Sequence, residues 1–134
     1  MAIYPACLIV KTQEVILQIK NIFRLSLLLC VAMILYLATT SANIEIVSNS
    51  HDKLNHMFAF WVLTFLADMS FGGPAKHIKS ISSSLLLYGL MIELIQSQLP
   101  YRSFSLVDIA ADATAILLYW FVAKLVVYHL KREN

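Results

Sequence analysis

Residues 25–37 read LSLLLCVAMILYL, thirteen consecutive positions without a charge. Extended outward to 22–40, the stretch approaches the roughly 20 apolar residues that a helix needs to cross a hydrocarbon core of about 30 Å. Three more stretches of this kind follow, at 54–71, 81–99 and 106–127. Gly72-Gly73-Pro74 ends the second, because two glycines and a proline do not continue a helix. Pro100 ends the third. The connections are short, which makes successive helices antiparallel. The prediction is an all-α integral membrane four-helix bundle of up-down topology, one domain over residues 1–134 with no internal repeat.

Composition agrees. The 134 residues are 60% hydrophobic and 13% charged, with a mean hydropathy of +0.75. Soluble domains carry about 45–50% apolar and about 25% charged residues, so this chain has too few polar side chains to cover itself in water. It is also too apolar for a disordered chain. Two cysteines, Cys7 and Cys30, exclude a disulfide framework and a cysteine-built zinc site. No apolar run precedes Cys7, so it reads as an ordinary free cysteine and not a lipidation site.

The first 21 residues read differently. Lys11, Glu14, Gln18 and Asn21 recur at helical spacing, with Val15, Ile16, Ile19 and Ile22 on other faces. The pattern predicts a short N-terminal amphipathic helix lying at the membrane interface, before the first span. A cleavable signal peptide ending near Thr40-Ser41-Ala42 is the rival reading; the long stretch before the apolar run favours a retained span.

Orientation follows from the positive-inside rule. With the N-terminus inside, eight cations (Lys11, Lys20, Arg24, Lys76, Lys79, Lys124, Lys131 and Arg132) face the cytoplasm and two, Lys53 and Arg102, face outward. Both termini are then cytoplasmic. Topology accounts for the net charge of +2, and there is no aromatic-basic stripe, so no nucleic-acid partner is implied.

The remaining polar residues gather at the outer helix ends. Asp52, Lys53 and His56 open the second helix, Glu93 and Gln96 close the third, Arg102 lies in the connection, and Asp108 and Asp112 open the fourth. At 1.5 Å per residue, Glu93 and Asp112 lie roughly 9 Å below the outer surface, with His56 and Asp108 about one turn down. Asp52 with His56, Glu93 with Gln96 and Asp108 with Asp112 share helix faces at i, i+3 or i, i+4. A carboxylate facing lipid costs about 2.5–3.5 kcal/mol at mid-membrane, so these faces turn inward. The expected object is an outward-facing polar pocket.

Asp52-Lys53-Leu54-Asn55-His56 resembles the Asp-Lys-x-x-His motif of the VanZ-like family of small multi-pass membrane proteins. Glu93-Leu94-Ile95-Gln96 resembles its Glu-x-x-Gln motif, and Pro100-Tyr101-Arg102 followed by Ser105 and Asp108 its Pro-x-Arg segment. The resemblance covers about residues 52–119. Asp112 stands where the family usually has Asn, and Ala115 and Tyr119 replace family glycines. The resemblance implies a bacterial cytoplasmic (inner) membrane protein of the cell envelope; the family's founding member is associated with teicoplanin resistance.

Each residue also has a plainer reading. Ser105-Leu106-Val107-Asp108 is a capping box, Asp52 is favoured by the helix dipole, and Asn49 is placed to cap the same helix. Glu93 and Asp112 are site candidates because ionisable groups inside a membrane are costly; the structural alternative is an ion network with Lys53 or Arg102. Asp68 reads as structural, offset by Lys76 or Lys79. Ala110, Ala111, Ala113–Ala115, Ser82–Ser84 and Gly89 read as packing positions. His51, His77 and His129 read as interfacial.

The leading expectation is binding of an anionic lipid-linked or amphiphilic envelope ligand by Asp52, Lys53, His56, Glu93, Gln96, Arg102, Asp108 and Asp112. In it, Arg102 offers a planar two-bond fork and Lys53 a point charge. Membrane lipids are the other expected partner. An alternative is an integral membrane enzyme acting on a phosphorylated lipid, with His56 as acid/base and Glu93 as its partner. A structural subunit without ligand is the third. No cofactor is expected. A divalent ion on His56, Glu93 and Asp112 is disfavoured by the two nearby cations, so no metal is expected either.

Overall fold

The computed structural model describes residues 4–40, 49–100 and 104–133, with side chains for 9–40, 53–100 and 104–133. Four helices make up the fold: α1 (Tyr4–Thr39), α2 (Asn49–Ser70), α3 (Ile78–Gln96) and α4 (Leu106–Glu133).

α1 corrects one expectation. There is no separate short N-terminal helix; a single helix of 36 residues runs through Asn21 and Ile22 without a break. The reason is local. Pro5 sits in the first turn, where a missing N–H costs nothing, and no glycine or proline follows before Thr40. The change from polar to apolar at Asn21 alters what surrounds the helix but not its backbone. At 1.5 Å per residue α1 is about 54 Å long, well beyond a hydrocarbon core of about 30 Å. Thr39 and Thr40 close it by donating their hydroxyls to the Leu35 and Tyr36 carbonyls.

Contacts between helices establish the direction of each. Val31 and Ala38 of α1 meet Tyr88 and Gln96 of α3, so these two helices run parallel. His56 and Asp68 of α2 meet Asp112 and Tyr119 of α4, which also run parallel. Trp120 meets Ser82, and Glu93 meets Ser105, so α3 and α4 are antiparallel. This is up-down connectivity. It is not a square bundle: among the described residues α1 packs on α2 and α3 and makes no contact with α4.

Three helices are long and apolar enough to cross a bilayer: α1 over Ile9–Thr39, α3 and α4. α2, expected as the second span, falls short over its described residues, because Lys53, Asn55, His56, Thr64, Asp68 and Ser70 dilute its apolar content. Its position explains why that is tolerated. α2 packs on all three other helices, and Phe60, Leu63, Thr64, Ala67, Asp68 and Ser70 are buried in protein. Hydroxyls inside this core are satisfied within the helix, Thr64 Oγ1 by the Phe60 carbonyl and Ser70 Oγ by that of Leu66, both at 2.6 Å.

The core joins Phe60, Leu63 and Ala67 of α2 to Ile81 and Leu85 of α3 and to Ala115, Ile116, Tyr119, Trp120 and Ala123 of α4. α1 adds a stripe, Leu27, Cys30, Val31 and Ile34, at the spacing of one helical face. Its opposite face exposes Ile22, Leu25, Leu29, Met33 and Tyr36, a shell that suits acyl chains and not water. Tyr88 ties α3 to α1 by donating its hydroxyl to the Val31 carbonyl at 2.6 Å. Tyr88→Phe is therefore expected to lower stability by about 0.5–1.5 kcal/mol. Thermal unfolding in micelles measures it, and an unchanged Tm would show that this bond does not hold α1.

Between α2 and α3 the chain turns through Gly72 and Gly73, both at positive φ, and Ala75, at φ 63°. Asp68 holds this turn. Its two oxygens accept the Ala75 N–H at 3.1 and 3.2 Å, and Oδ2 also accepts the Tyr119 hydroxyl at 2.9 Å. Asp68 is structural, as expected, but its partners are a backbone amide and a phenol; among the described residues it forms no ion pair with Lys76 or Lys79.

Candidate functional site

The up-down path brings the end of α1, the start of α2, the end of α3 and the start of α4 to one end of the bundle. Five of the expected site residues meet there. His56 Nδ1 lies 3.2 Å from Asp112 Oδ1, joining α2 to α4. Glu93 Oε2 accepts the Ser105 N–H at 2.9 Å, and Gln96 Nε2 donates to the Ala38 carbonyl at 3.2 Å. His56, Glu93 and Asp108 each bring a metal-ligating atom within 4.8 Å of the others.

Three partners differ from the sequence expectation. The enzyme reading paired His56 with Glu93, but Asp112 is the carboxylate on its Nδ1. Gln96, placed among ligand-binding residues, is engaged with the last turn of α1. The capping box is half realised: Ser105 Oγ accepts the Asp108 N–H at 3.3 Å, while the Ser105 N–H goes to Glu93 and not to the Asp108 side chain. Glu93 thus does the capping across helices, and Asp108 keeps its carboxylate for the cluster.

Glu93, Gln96 and Asp112 are buried, at 1%, 3% and 1% exposure. Among the described residues the layer reaches the surface through the half-buried His56 and Asp108. Among the described residues it is a packed polar layer. Two of its oxygens, Glu93 Oε1 and Asp112 Oδ2, are buried without a hydrogen-bond partner. Gly89 makes the room: a Cβ there would stand 2.6 Å from Asp112 Oδ2 and 3.1 Å from Phe60 Cζ. Helical spacing marks Gly89 only as a packing position; its link to Asp112 depends on how α3 is rotated against α4.

Lys53 is exposed. Arg102 and the side chains of Asn49, His51 and Asp52 lie outside the described residues. A surface groove lined by Ala75, Lys76, His77, Ile78, Lys79 and Ser80 opens at the opposite end of the bundle, away from the acids. No protein-family model matches this chain, and no match was found among curated proteins or solved structures.

Proposed function

We propose that this chain is a VanZ-like protein of the bacterial cytoplasmic membrane that crosses the bilayer four times and binds the anionic head group of an envelope lipid or amphiphile. The observation that carries the reading is one layer of His56, Glu93, Asp108 and Asp112 drawn from three helices, at one end of a bundle whose flanks are apolar. Ionisable residues at membrane depth are expensive and are kept where they bind or move something charged. α2 runs beside α4 from that layer to the Asp68–Tyr119 contact, which supports a fourth crossing shielded by the other three helices.

In this reading both termini are cytoplasmic, as the distribution of eight cations against two favours. The polar layer then faces outward. Lys53 and Arg102 stand at its rim and take the anionic group, Arg102 through two parallel hydrogen bonds. Arg102→Ala in the full chain, reconstituted in nanodiscs and titrated with a polyprenyl phosphate, is expected to weaken binding about 10–100-fold, the worth of a charge-assisted hydrogen bond. Binding that is unchanged in Arg102→Ala overturns the assignment of the head group to this rim.

A further inference from the structure

We propose that His56, Glu93 and Asp108 form a binding site for one divalent first-row cation, Zn²⁺ or Mn²⁺, with Asp112 orienting the imidazole. The inference goes beyond head-group binding and does not rest on it. Three residues on three helices converge so that one ligand atom from each lies within 4.8 Å of the others. Closing on an ion with bonds of about 2.0–2.2 Å requires these side chains to draw in by about an ångström, and two of the three, His56 and Asp108, are only half-buried.

Two independent features point to a cation. Glu93, 1% exposed, belongs to the cluster and has one oxygen, Oε1, that is buried and accepts no hydrogen bond. Its other oxygen is anchored by the Ser105 N–H, so the carboxylate is held while one oxygen is left for a ligand. The second feature is the contact between Asp112 Oδ1 and His56 Nδ1. Metal-bound histidines characteristically donate their second ring N–H to a carboxylate, which sets the tautomer and raises the basicity of the ligating nitrogen. In a neutral ring that donates Nδ1–H to Asp112, the lone pair is on Nε2.

The donor set selects the ion. One imidazole nitrogen with carboxylate oxygens suits Zn²⁺ or Mn²⁺ better than Mg²⁺, which favours an all-oxygen, largely hydrated shell. Three protein ligands leave coordination positions for water at the surface of the bundle. The expected repulsion from neighbouring cations is weakened on the described side, where Lys53 is exposed.

The test is a Zn²⁺ titration of the full chain, purified in micelles and stripped with chelator, read by calorimetry and by metal content after desalting. One Zn²⁺ per chain is expected. Asp112→Asn should weaken binding by the about 10–100-fold typical of an outer-shell partner, and Asp108→Asn by more than that. Far-UV circular dichroism checks that each variant keeps its helices. X-ray absorption on the Zn²⁺-loaded wild type needs no variant and should show a single imidazole among oxygen ligands. Substoichiometric Zn²⁺, affinity indifferent to Asp108→Asn in a folded variant, or a shell with two or more imidazoles overturns the proposal, the last by placing the ion on other histidines.

Discussion

Replacing Asp68 by alanine is expected to cost about 2–6 kcal/mol, the largest effect of any single substitution at the end of the bundle opposite the His56–Asp112 contact. The side chain is 1% exposed and serves two elements at once. Its oxygens accept the Ala75 N–H, which holds a non-glycine residue at φ 63°, and the hydroxyl of Tyr119 from α4. Truncation removes the acceptor of both donors, the Tyr119 hydroxyl from a buried residue and the half-buried Ala75 N–H, at about 1–3 kcal/mol each. Tyr119→Phe removes one donor together with its need for an acceptor and is expected to cost only about 0.5–1.5 kcal/mol. Unfolding of both variants in micelles measures the difference, and amide exchange at Ala75 should rise only in Asp68→Ala. Equal losses in the two variants would mean that the turn does not depend on the carboxylate.

Gly89→Ala is the second large effect, at about 1–3 kcal/mol, as for other insertions into a packed core. The added Cβ would meet Asp112 Oδ2 at 2.6 Å and Phe60 Cζ at 3.1 Å. Phe60 is itself 1% exposed, so it has little space to yield. The Asp112 carboxylate must move, and moving it breaks the contact with His56 Nδ1. A double-mutant cycle isolates this cause. In an Asp112→Ala background the clash with the carboxylate is absent, so Gly89→Ala should cost clearly less, with a coupling of about 0.5–3 kcal/mol. The same cost in both backgrounds would show that Phe60 alone resists the methyl group.

The two substitutions probe opposite ends of one device. Acids buried between helices are held by partners that come from other elements: Ala75 N and Tyr119 for Asp68, His56 for Asp112, Ser105 N for Glu93. The Asp68–Ala75 bond fixes the turn after α2, and the others join different helices or a helix and the start of the next, so they fix helix height and rotation as well as satisfying a polar group. Apolar contact alone specifies these weakly among helices, because Leu and Ile side chains pack almost equally well after a small slide or turn.

Much of this was legible in advance because hydropathy and helix-breaking residues act locally. Four helices, their short connections, the up-down path and the gathering of His56, Glu93, Asp108 and Asp112 at one end all follow from positions along the chain. The separate helix expected before residue 22 was a misreading of a local signal: polarity changes at Asn21, but no glycine or proline interrupts the backbone between Pro5 and Thr40. α2 is the helix whose hydropathy says least by itself. Its moderate hydropathy is offset by burial against three neighbours, which a single segment cannot reveal.

The amino-acid order by itself determined the helices, their apolar character and the end of the bundle to which each acid belongs. Tertiary structure alone decided that Asp112 rather than Glu93 is the carboxylate on His56 Nδ1, that Glu93 caps α4, and that Gly89 must be small for Asp112 to fit. The physical reason is rotation. A helix carries its side chains about 100° apart, so spacing settles which residues share a face, while only packing against the neighbouring helices settles what that face meets.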